Sequence, residues 1–286
     1  MAPDPTAGTG RLSVVGTPIG NLGDLSQRAA EVLATVDAVV CEDTRRTGKL
    51  LAHLGARRDG KPALLVANEH TEVPRLGEIL DRLAAGEHLA LVTDAGMPTV
   101  SDPGRHVVAA AVEHGHVVDV VPGPTAVSAA LALSGLPVDR YVFEGFLPRK
   151  GRERTDRLRA LAGEERAVVV YESPRRVAVT LADLASVCGG DRRVAVGREL
   201  TKLHEEVVRT TLAEAAERLA RQEPRGEFVL VVDGRVAGGE PPGDDQVIEA
   251  LRRCLGDGLS KRDAVAEVAR RTGEPRRRIY ELSITL

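Results

Sequence analysis

Short runs of Val, Leu and Ala alternate with stretches of helical periodicity between Leu12 and about Ser134. The pattern predicts strands near 12–16, 37–41, 63–67, 89–93 and 117–121, and helices near 25–36, 73–86, 104–115 and 125–134. Such alternation is the pattern of a mostly parallel sheet with crossover helices. Pro137 and the segment 141–150 break the rhythm. After it, 167–171, 193–196, 206–210 and 228–232 read as strands around helices at 151–162, 174–186 and 212–221. Only a short polar loop separates the two strands around 193–210, which favours a hairpin over a crossover. The expectation is an α/β protein with a first α/β domain at 11–135 and a second, with more antiparallel pairing, at 136–234.

Residues 235–245 concentrate Gly, Pro and charge, as an exposed linker does. A separate module at 246–286 follows. Its segment 247–255 is amphipathic, and Ser260 with Asp263 three residues on resembles a capping box opening a helix over 264–271. Gly273 stops that helix and Pro275 can open another through Ile279 to Leu282. Three short helices with a Gly turn suggest a helix-turn-helix; a docking bundle without nucleic-acid contact is the plainer alternative.

With 286 residues, 43% of them hydrophobic, the chain can fill real cores. Aromatic residues are only 2%, with no Trp, which argues against base stacking on an aromatic platform. Cys41, Cys188 and Cys254 form no paired framework or metal spacing, the seven histidines are dispersed, and no metal site is expected. No long uncharged apolar run or basic-then-apolar leader appears, so a reduced cytoplasm and no membrane are expected. Net charge is −3, yet Arg149, Lys150, Arg152, Arg154, Arg157 and Arg159 crowd one short segment, and Arg270, Arg271, Arg276, Arg277 and Arg278 crowd the tail. Either cluster alone can be a solvated helix face; two flanking one core favour a polyanionic partner.

Candidate chemistry gathers at strand ends. Gly16-Thr17-Pro18-Ile19-Gly20-Asn21-Leu22, Thr93-Asp94-Ala95-Gly96-Met97-Pro98 with Ser101-Asp102-Pro103-Gly104, and Pro122-Gly123-Pro124-Thr125-Ala126 each leave an apolar run through small residues. Turns of this kind let backbone approach a ligand where open α/β sheets bind theirs. The first is not G-x-G-x-x-G, and Pro18 removes an amide that a pyrophosphate cradle would use. No P-loop is present, since Gly48-Lys49 lacks both the preceding Gly and the following Ser or Thr. NAD and ATP are therefore disfavoured, and a ligand with an adenosine but no phosphate fits better.

These turns, together with Cys41-Glu42-Asp43-Thr44-Arg45, Gly145-Phe146-Leu147-Pro148-Arg149-Lys150, Tyr171-Glu172-Ser173-Pro174-Arg175-Arg176, Gly197-Arg198-Glu199-Leu200-Thr201-Lys202 and Gly226-Glu227-Phe228, resemble the tetrapyrrole-methylase superfamily of S-adenosylmethionine enzymes. Within it they are most similar to the subgroup acting on small-subunit ribosomal RNA, and the tail from Gly258 to Val265 resembles the helical module often appended to that subgroup. The resemblance implies 2′-O-methylation of a cytidine ribose in the decoding region of 16S ribosomal RNA. It also implies S-adenosyl-L-methionine in a cleft between two α/β domains, a homodimer, and the 30S subunit or its RNA as partner. One departure is Thr71, where Asn is common in the family.

On this reading Pro18, Thr93, Asp94, Ala95, Gly96, Ser101, Thr125, Ala126 and Tyr171 hold the cofactor, and Arg45, Arg149, Lys150 and Arg175 hold RNA. Methyl transfer from a sulfonium to a hydroxyl is an in-line displacement, so positioning can supply much of the catalysis. A carboxylate or imidazole in reach can take the hydroxyl proton, and Glu42, Asp43 and His70, each just beyond a strand, are the candidates. Each has a duller role: Glu42 or Asp43 can cap the helix starting near Thr44 or pair with Arg45 and Arg46, His70 can be an ordinary loop residue, and Thr125 can merely cap its helix. Glu172 can face the cleft or cap the helix beyond Pro174 and ranks below Glu42. The competing functions are a porphyrinoid methylase, which shares the turns but needs no basic rim, and a ribosome-assembly RNA-binding factor that keeps the fold without the chemistry.

Overall fold

The computed structural model describes residues 10–55, 62–235, 243–272 (270 and 271 in backbone only), 276–284 and 286. It divides into a compact unit through Arg235 and a second one from Val236 on. In the first unit β1 (Arg11–Val15), β2 (Ala38–Cys41), β3 (Ala63–Val66), β4 (His88–Leu91) and β5 (Val117–Val121) form an all-parallel sheet in the order β3-β2-β4-β1-β5. Parallel pairing requires crossovers, and α1 (Gln27–Thr35), α2 (Thr44–His53), α3 (Glu72–Ala84) and α4 (Arg105–Glu113) supply them. Their apolar faces cover both sides of the sheet: Leu12, Val40, Leu89 and Leu91 pack with Ile79, Leu83 and Val107 on one side, and Val15, Val39 and Val92 with Ala29, Leu33 and Leu51 on the other.

The next helix, α5 (Ala126–Ser134), falls within the expected first domain but buries Val127, Ala130 and Leu131 against Val169, Ala195, Val229 and Val231 of a second sheet. That sheet, in the order β6-β7-β10-β8-β9, holds β6 (Tyr141–Phe146), β7 (Ala167–Glu172), β8 (Arg193–Arg198), β9 (Glu206–Thr211) and β10 (Phe228–Val232). Only β6 and β7 run parallel; the remaining pairs are antiparallel, and β8 with β9 is the expected hairpin. The helices α6 (Gly151–Ala162), α7 (Val177–Cys188) and α8 (Leu212–Ala220) close the other face of the sheet through Leu158, Leu161, Leu181, Leu184, Leu212 and Leu219.

The strand β6 corrects the sequence reading, in which 141–150 interrupts the pattern. Its register shifts between Phe143 and Gly145, and Gly145 adopts φ +63°, so a bulge hides the period-2 alternation. Helix α7 starts at Val177 rather than near 174, because Pro174 lies in the turn that precedes it.

The second unit packs α9 (Asp244–Gly256), α10 (Lys261–Thr272) and α11 (Arg276–Ser283) around Val247, Leu251, Cys254, Ala264, Val268 and Ile279. Ser260 caps α10: its Oγ accepts from the Asp263 amide and donates to the Asp263 carboxylate, so the helix opens at Lys261 rather than at 264. Most of the expected linker, 236–242, and the Gly273 and Pro275 turn lie outside the described residues. Among the described residues no helix is long and apolar enough to cross a membrane.

Candidate functional site

The three glycine- and proline-bearing turns leave the carboxyl ends of β1, β4 and β5, which are neighbours in the first sheet. Thr17 and Gly96 form an antiparallel bridge, and the Thr17 hydroxyl donates to the Thr93 carbonyl at 3.1 Å. A Cβ on Gly16 would lie 2.6 Å from the Gly123 Cα, so two turns meet backbone to backbone. Glycine therefore serves the packing of turn on turn here, rather than the approach to a ligand that the sequence suggests. Gly96 is different: an added Cβ would meet only Ile19 and Pro124, at 3.4 Å or more, but its φ of +84° favours a residue without one.

The interlocked turns face the second sheet across a cavity of about 300 Å³, near the lower end for small-molecule sites. Ile19, Ala95, Gly96, Met97, Ser101, Asp102, Thr125 and Ala126 line it from the turns. Phe146, Tyr171, Glu172, Ser173, Pro174, Leu200, Glu227 and Phe228 line it from the second sheet and its loops. The loop after Gly96 reaches across: Thr99 and Ser101 take left-handed φ of +73° and +63°, and Ser101 Oγ occupies the space that a Cβ on Gly145 would need.

Six of the nine expected cofactor residues, Ala95, Gly96, Ser101, Thr125, Ala126 and Tyr171, thus share one cavity. Pro18, Thr93 and Asp94 do not. They line an adjoining groove of about 250 Å³ with Gly20, Leu22, Arg46 and Lys49. The 93–96 turn is the partition: Thr93 and Asp94 face the groove, Ala95 and Gly96 the cavity. Thr93 Oγ1 is buried there with no hydrogen-bond partner among the described residues. Thr125 both lines the cavity and caps α5, accepting from the Ser128 amide at 3.1 Å.

The sequence reading overlooked two features. Low aromatic content hid the fact that Phe146, Tyr171 and Phe228, out of three Phe and three Tyr in the chain, gather at this cavity. Tyr171 stacks edge-on against Phe143 at 5.0 Å and tilted against Phe146 at 5.6 Å. Burial, with the charge of Asp102 beside it, pushes the Tyr171 hydroxyl up to about 12 despite a hydrogen bond from the Val127 backbone. The other is Asp102. Burial, then the charges of Glu42 and Asp94, push its carboxyl up to about 7. Its place in a turn beside Ser101, at a strand end, was the available signal.

The expected acid-base residues separate. Glu42 and Asp94 hold the ends of β2 and β4 together: the Asp94 amide donates to the Glu42 carboxylate, and the Asp43 amide to that of Asp94. Burial, then the Asp94 charge, raise Glu42, and burial raises Asp94 although Arg46 lies 3.3 Å away. Asp43 caps α2 instead, accepting from the Arg45 amide at 2.7 Å and pairing with the Arg45 guanidinium at 2.8 Å. Those bonds hold its carboxyl down to about 2, which makes it a poor proton acceptor. Neither Glu42 nor His70 lines the cavity or the groove, but Glu42 is half-buried beside Asp94, whereas His70 is exposed and its amide donates to Asn68 Oδ1 in the turn that opens α3, beyond edge strand β3. Thr71 is tied to Asn68 in the same turn.

Glu172 is fully buried, accepting from the Ser173 amide and the Thr180 hydroxyl and pairing with Arg176 at 3.2 Å. Arg176 in turn donates to the Leu147 carbonyl at 2.7 Å. This network sets the 173–177 turn beside the 147–150 segment, where Arg149, Lys150 and Arg175 stand exposed with no ion pair among the described residues. Arg154, from the same basic run, points inward to Asp183, Thr180 and the Pro148 carbonyl. Arg45 is exposed but held by Asp43. At the opposite wall Lys202 bridges Glu199 and Glu227 at 2.8 Å each, which fixes the β8–β9 loop against β10. No group of three or more metal-ligating side chains occurs among the described residues.

The sequence profile of the tetrapyrrole (corrin/porphyrin) methylases matches residues 11–216, and that of the RsmI C-terminal HTH domain matches 241–286. A ribosomal RNA small subunit methyltransferase I from Synechocystis is 44% identical over 97% of this chain and 98% of its own length. Its counterpart from Xylella fastidiosa is 45% identical over 95% and 98%. Among solved structures, the methyltransferase CobJ superposes with a TM-score of 0.60 at 21% identity, covering 79% of this chain and 95% of its own. A uroporphyrin-III C-methyltransferase from Thermus thermophilus, complexed with S-adenosyl homocysteine, gives 0.55 at 22% identity over 78% and 97%. These likenesses establish a shared fold.

Proposed function

The chain belongs to the tetrapyrrole (corrin/porphyrin) methylase family and, within it, to the ribosomal RNA small subunit methyltransferase I proteins, and from that premise we infer that it methylates 16S ribosomal RNA using S-adenosyl-L-methionine. The position we propose is the ribose 2′-hydroxyl of a cytidine in the decoding region. The observation that carries the reading is one cavity walled by the three turns and by Phe146, Tyr171 and Phe228, with Arg149, Lys150 and Arg175 unpaired on the adjoining loops.

The cavity suits a sulfonium nucleoside: its walls are largely apolar, and the one side-chain charge there without a partner among the described residues, Asp102, is negative. When bound, the cofactor supplies an electrophilic methyl group. The chain's part is placement. Gly96, Ala95, Thr125 and Ala126 offer backbone and hydroxyl groups at close range, and the aromatic wall covers the ligand and excludes water. Glu42, raised by burial, is the proton acceptor we retain of the three expected, with Asp43 and His70 assigned to helix capping and loop structure. Arg149, Lys150 and Arg175 hold phosphates around the target.

A homodimer acting in the cytoplasm completes the proposal. Edge strand β5, with Val120 exposed and Val118 and Val100 beside it, offers an unpaired apolar border of the kind chains cover by association. The test is transfer of labelled methyl to 30S subunits and to protein-free 16S RNA, followed by mass mapping of the modified ribose. Methylation at a decoding-region cytidine supports the reading; cofactor binding with transfer to a porphyrinoid alone overturns it.

A further inference from the structure

Three carboxylates line the cavity, and two are already neutralised: Glu172 by Arg176 at 3.2 Å and Glu227 by Lys202 at 2.8 Å. Asp102 has neither a hydrogen bond nor an ion pair among the described residues. The groups facing it carry negative charge or none: Glu42 from the end of β2, Asp94 from the end of β4 with Arg46 committed to it, and the Tyr171 hydroxyl from β7. The fold therefore sets a carboxylate in a largely apolar chamber with no balancing cation among the described residues. A half-buried carboxylate so placed takes up a proton until a cation arrives.

Resting on the assignment of this cavity to S-adenosylmethionine, we propose that Asp102 is the residue that distinguishes the methyl donor from its spent product by charge. It binds the sulfonium as a carboxylate, and the neutral thioether leaves its protonation as it was in the free chain. The two ligands share adenosine, ribose and amino-acid groups, so contacts to those parts cannot separate them; they differ in the methyl group and in the charge it places on sulfur, and a carboxylate reads the charge. Binding the donor then expels whatever proton Asp102 carries, nearly one at pH 6 and little at pH 8, and binding the product expels none. The consequence is product release: once the sulfonium charge is gone, the attraction that held the ligand is gone with it.

With a carboxyl resting at about 7 and lowered by the bound cation, donor affinity rises by up to about tenfold between pH 6 and pH 8. Titration calorimetry of the full chain with S-adenosylmethionine and S-adenosylhomocysteine at pH 6 and pH 8, in buffers of different ionisation enthalpy, reads both affinity and proton release. The expected result is proton release and a pH-dependent affinity for the donor only, both lost in Asp102→Asn, together with the donor's advantage over the product. Equal weakening of both ligands in Asp102→Asn would overturn the proposal and assign Asp102 to a group they share. A wild-type protein that binds the donor with no proton release also overturns it while leaving the cofactor assignment intact. Binding of neither ligand removes the cofactor assignment and the proposal together. The wild-type proton count stands even if the variant fails to fold.

Discussion

Thr17 and Gly96 exchange both of their backbone hydrogen bonds, at 2.9 and 3.1 Å, across a single antiparallel bridge between turns almost eighty residues apart. One residue earlier, Gly16 rests on Gly123 with no space for a side chain between them. The turns after β1, β4 and β5 are thus one body, and the cavity wall they form is set by main-chain contacts. A ligand placed against such a wall meets a surface that needs little reorganisation.

Gly16→Ala should accordingly damage both fold and site. The new methyl would sit 2.6 Å from backbone atoms of Gly123, which cannot swing aside as a side-chain tip can. Overpacking of this kind costs about 1–3 kcal/mol. Gly48→Ala is the contrast: in the middle of α2, its Cβ meets nothing within 4 Å, and the helix gains roughly 0.5–1 kcal/mol. Denaturant melts with and without S-adenosylmethionine should place the two variants on opposite sides of wild type, with ligand stabilisation reduced only in the first. The reverse order would refute the interlock.

What the sequence disclosed and what it withheld follow from the range of the forces. Strand and helix positions around the first sheet are local matters of period and punctuation, and they were legible to within a few residues except for α2, of which only the start near Thr44 was read. The bulge at Gly145 erased the alternation of β6, and nothing local says that α5 will pack on the second sheet. At the site, the turns could be named, but their partners could not. Asp43 next to Arg45 reads equally as a base or as a cap until the 2.7 Å bond to the Arg45 amide is seen. Asp102 is an ordinary turn residue until the fold surrounds it with Glu42, Asp94 and Tyr171.

Glu42 and Asp43, adjacent in sequence, should respond differently to isosteric substitution. Asn still caps a helix, so Asp43→Asn should keep the methylation rate within about twofold of wild type. Loss of a general base typically lowers the rate by about 10²–10⁴-fold, and Glu42→Gln should fall in that range and lose its rise with pH. Single-turnover rates on 30S subunits across pH measure both. Equal rates for the two variants would withdraw Glu42 as the acceptor.

The basic run from Arg149 to Arg159 should divide in the same way. Arg154 is nearly buried, bound to Asp183 at 2.7 Å, to the Pro148 carbonyl at 2.9 Å and to the Thr180 hydroxyl at 3.1 Å, so Arg154→Ala leaves Asp183 and Thr180 without that donor, while Pro148 keeps a long bond from Arg176 at 3.4 Å. Asp183 is partly solvated, which lowers the cost to about 2 kcal/mol, short of the value for a fully buried pair. Arg149→Ala, Lys150→Ala and Arg175→Ala should leave the melting temperature unchanged, and each should reduce the salt slope of RNA binding by about one unit. Thermal melts paired with salt titrations of RNA affinity separate the roles. A lowered slope in Arg154→Ala without destabilisation would reverse the assignment.

Asp102 makes a last prediction about the protein with no ligand bound. Its carboxyl rests at about 7 in the fold, against an ordinary value of 3.8. Between those two values the folded state holds a proton that the unfolded chain has given up, so stability falls as pH rises through that window and levels off above it. Asp102→Asn cannot ionise and lacks this slope. The variant should therefore melt above wild type at pH 8, where the native carboxylate lies uncompensated beside Glu42 and Asp94, and the gap should narrow as pH is lowered to 5. Saturating S-adenosylmethionine should close the gap at pH 8 from the other side, because the cation restores to wild type the balance that the variant obtains by losing its charge. A gap independent of pH would mean that the substitution acts through packing, and that the carboxylate is balanced by some other group.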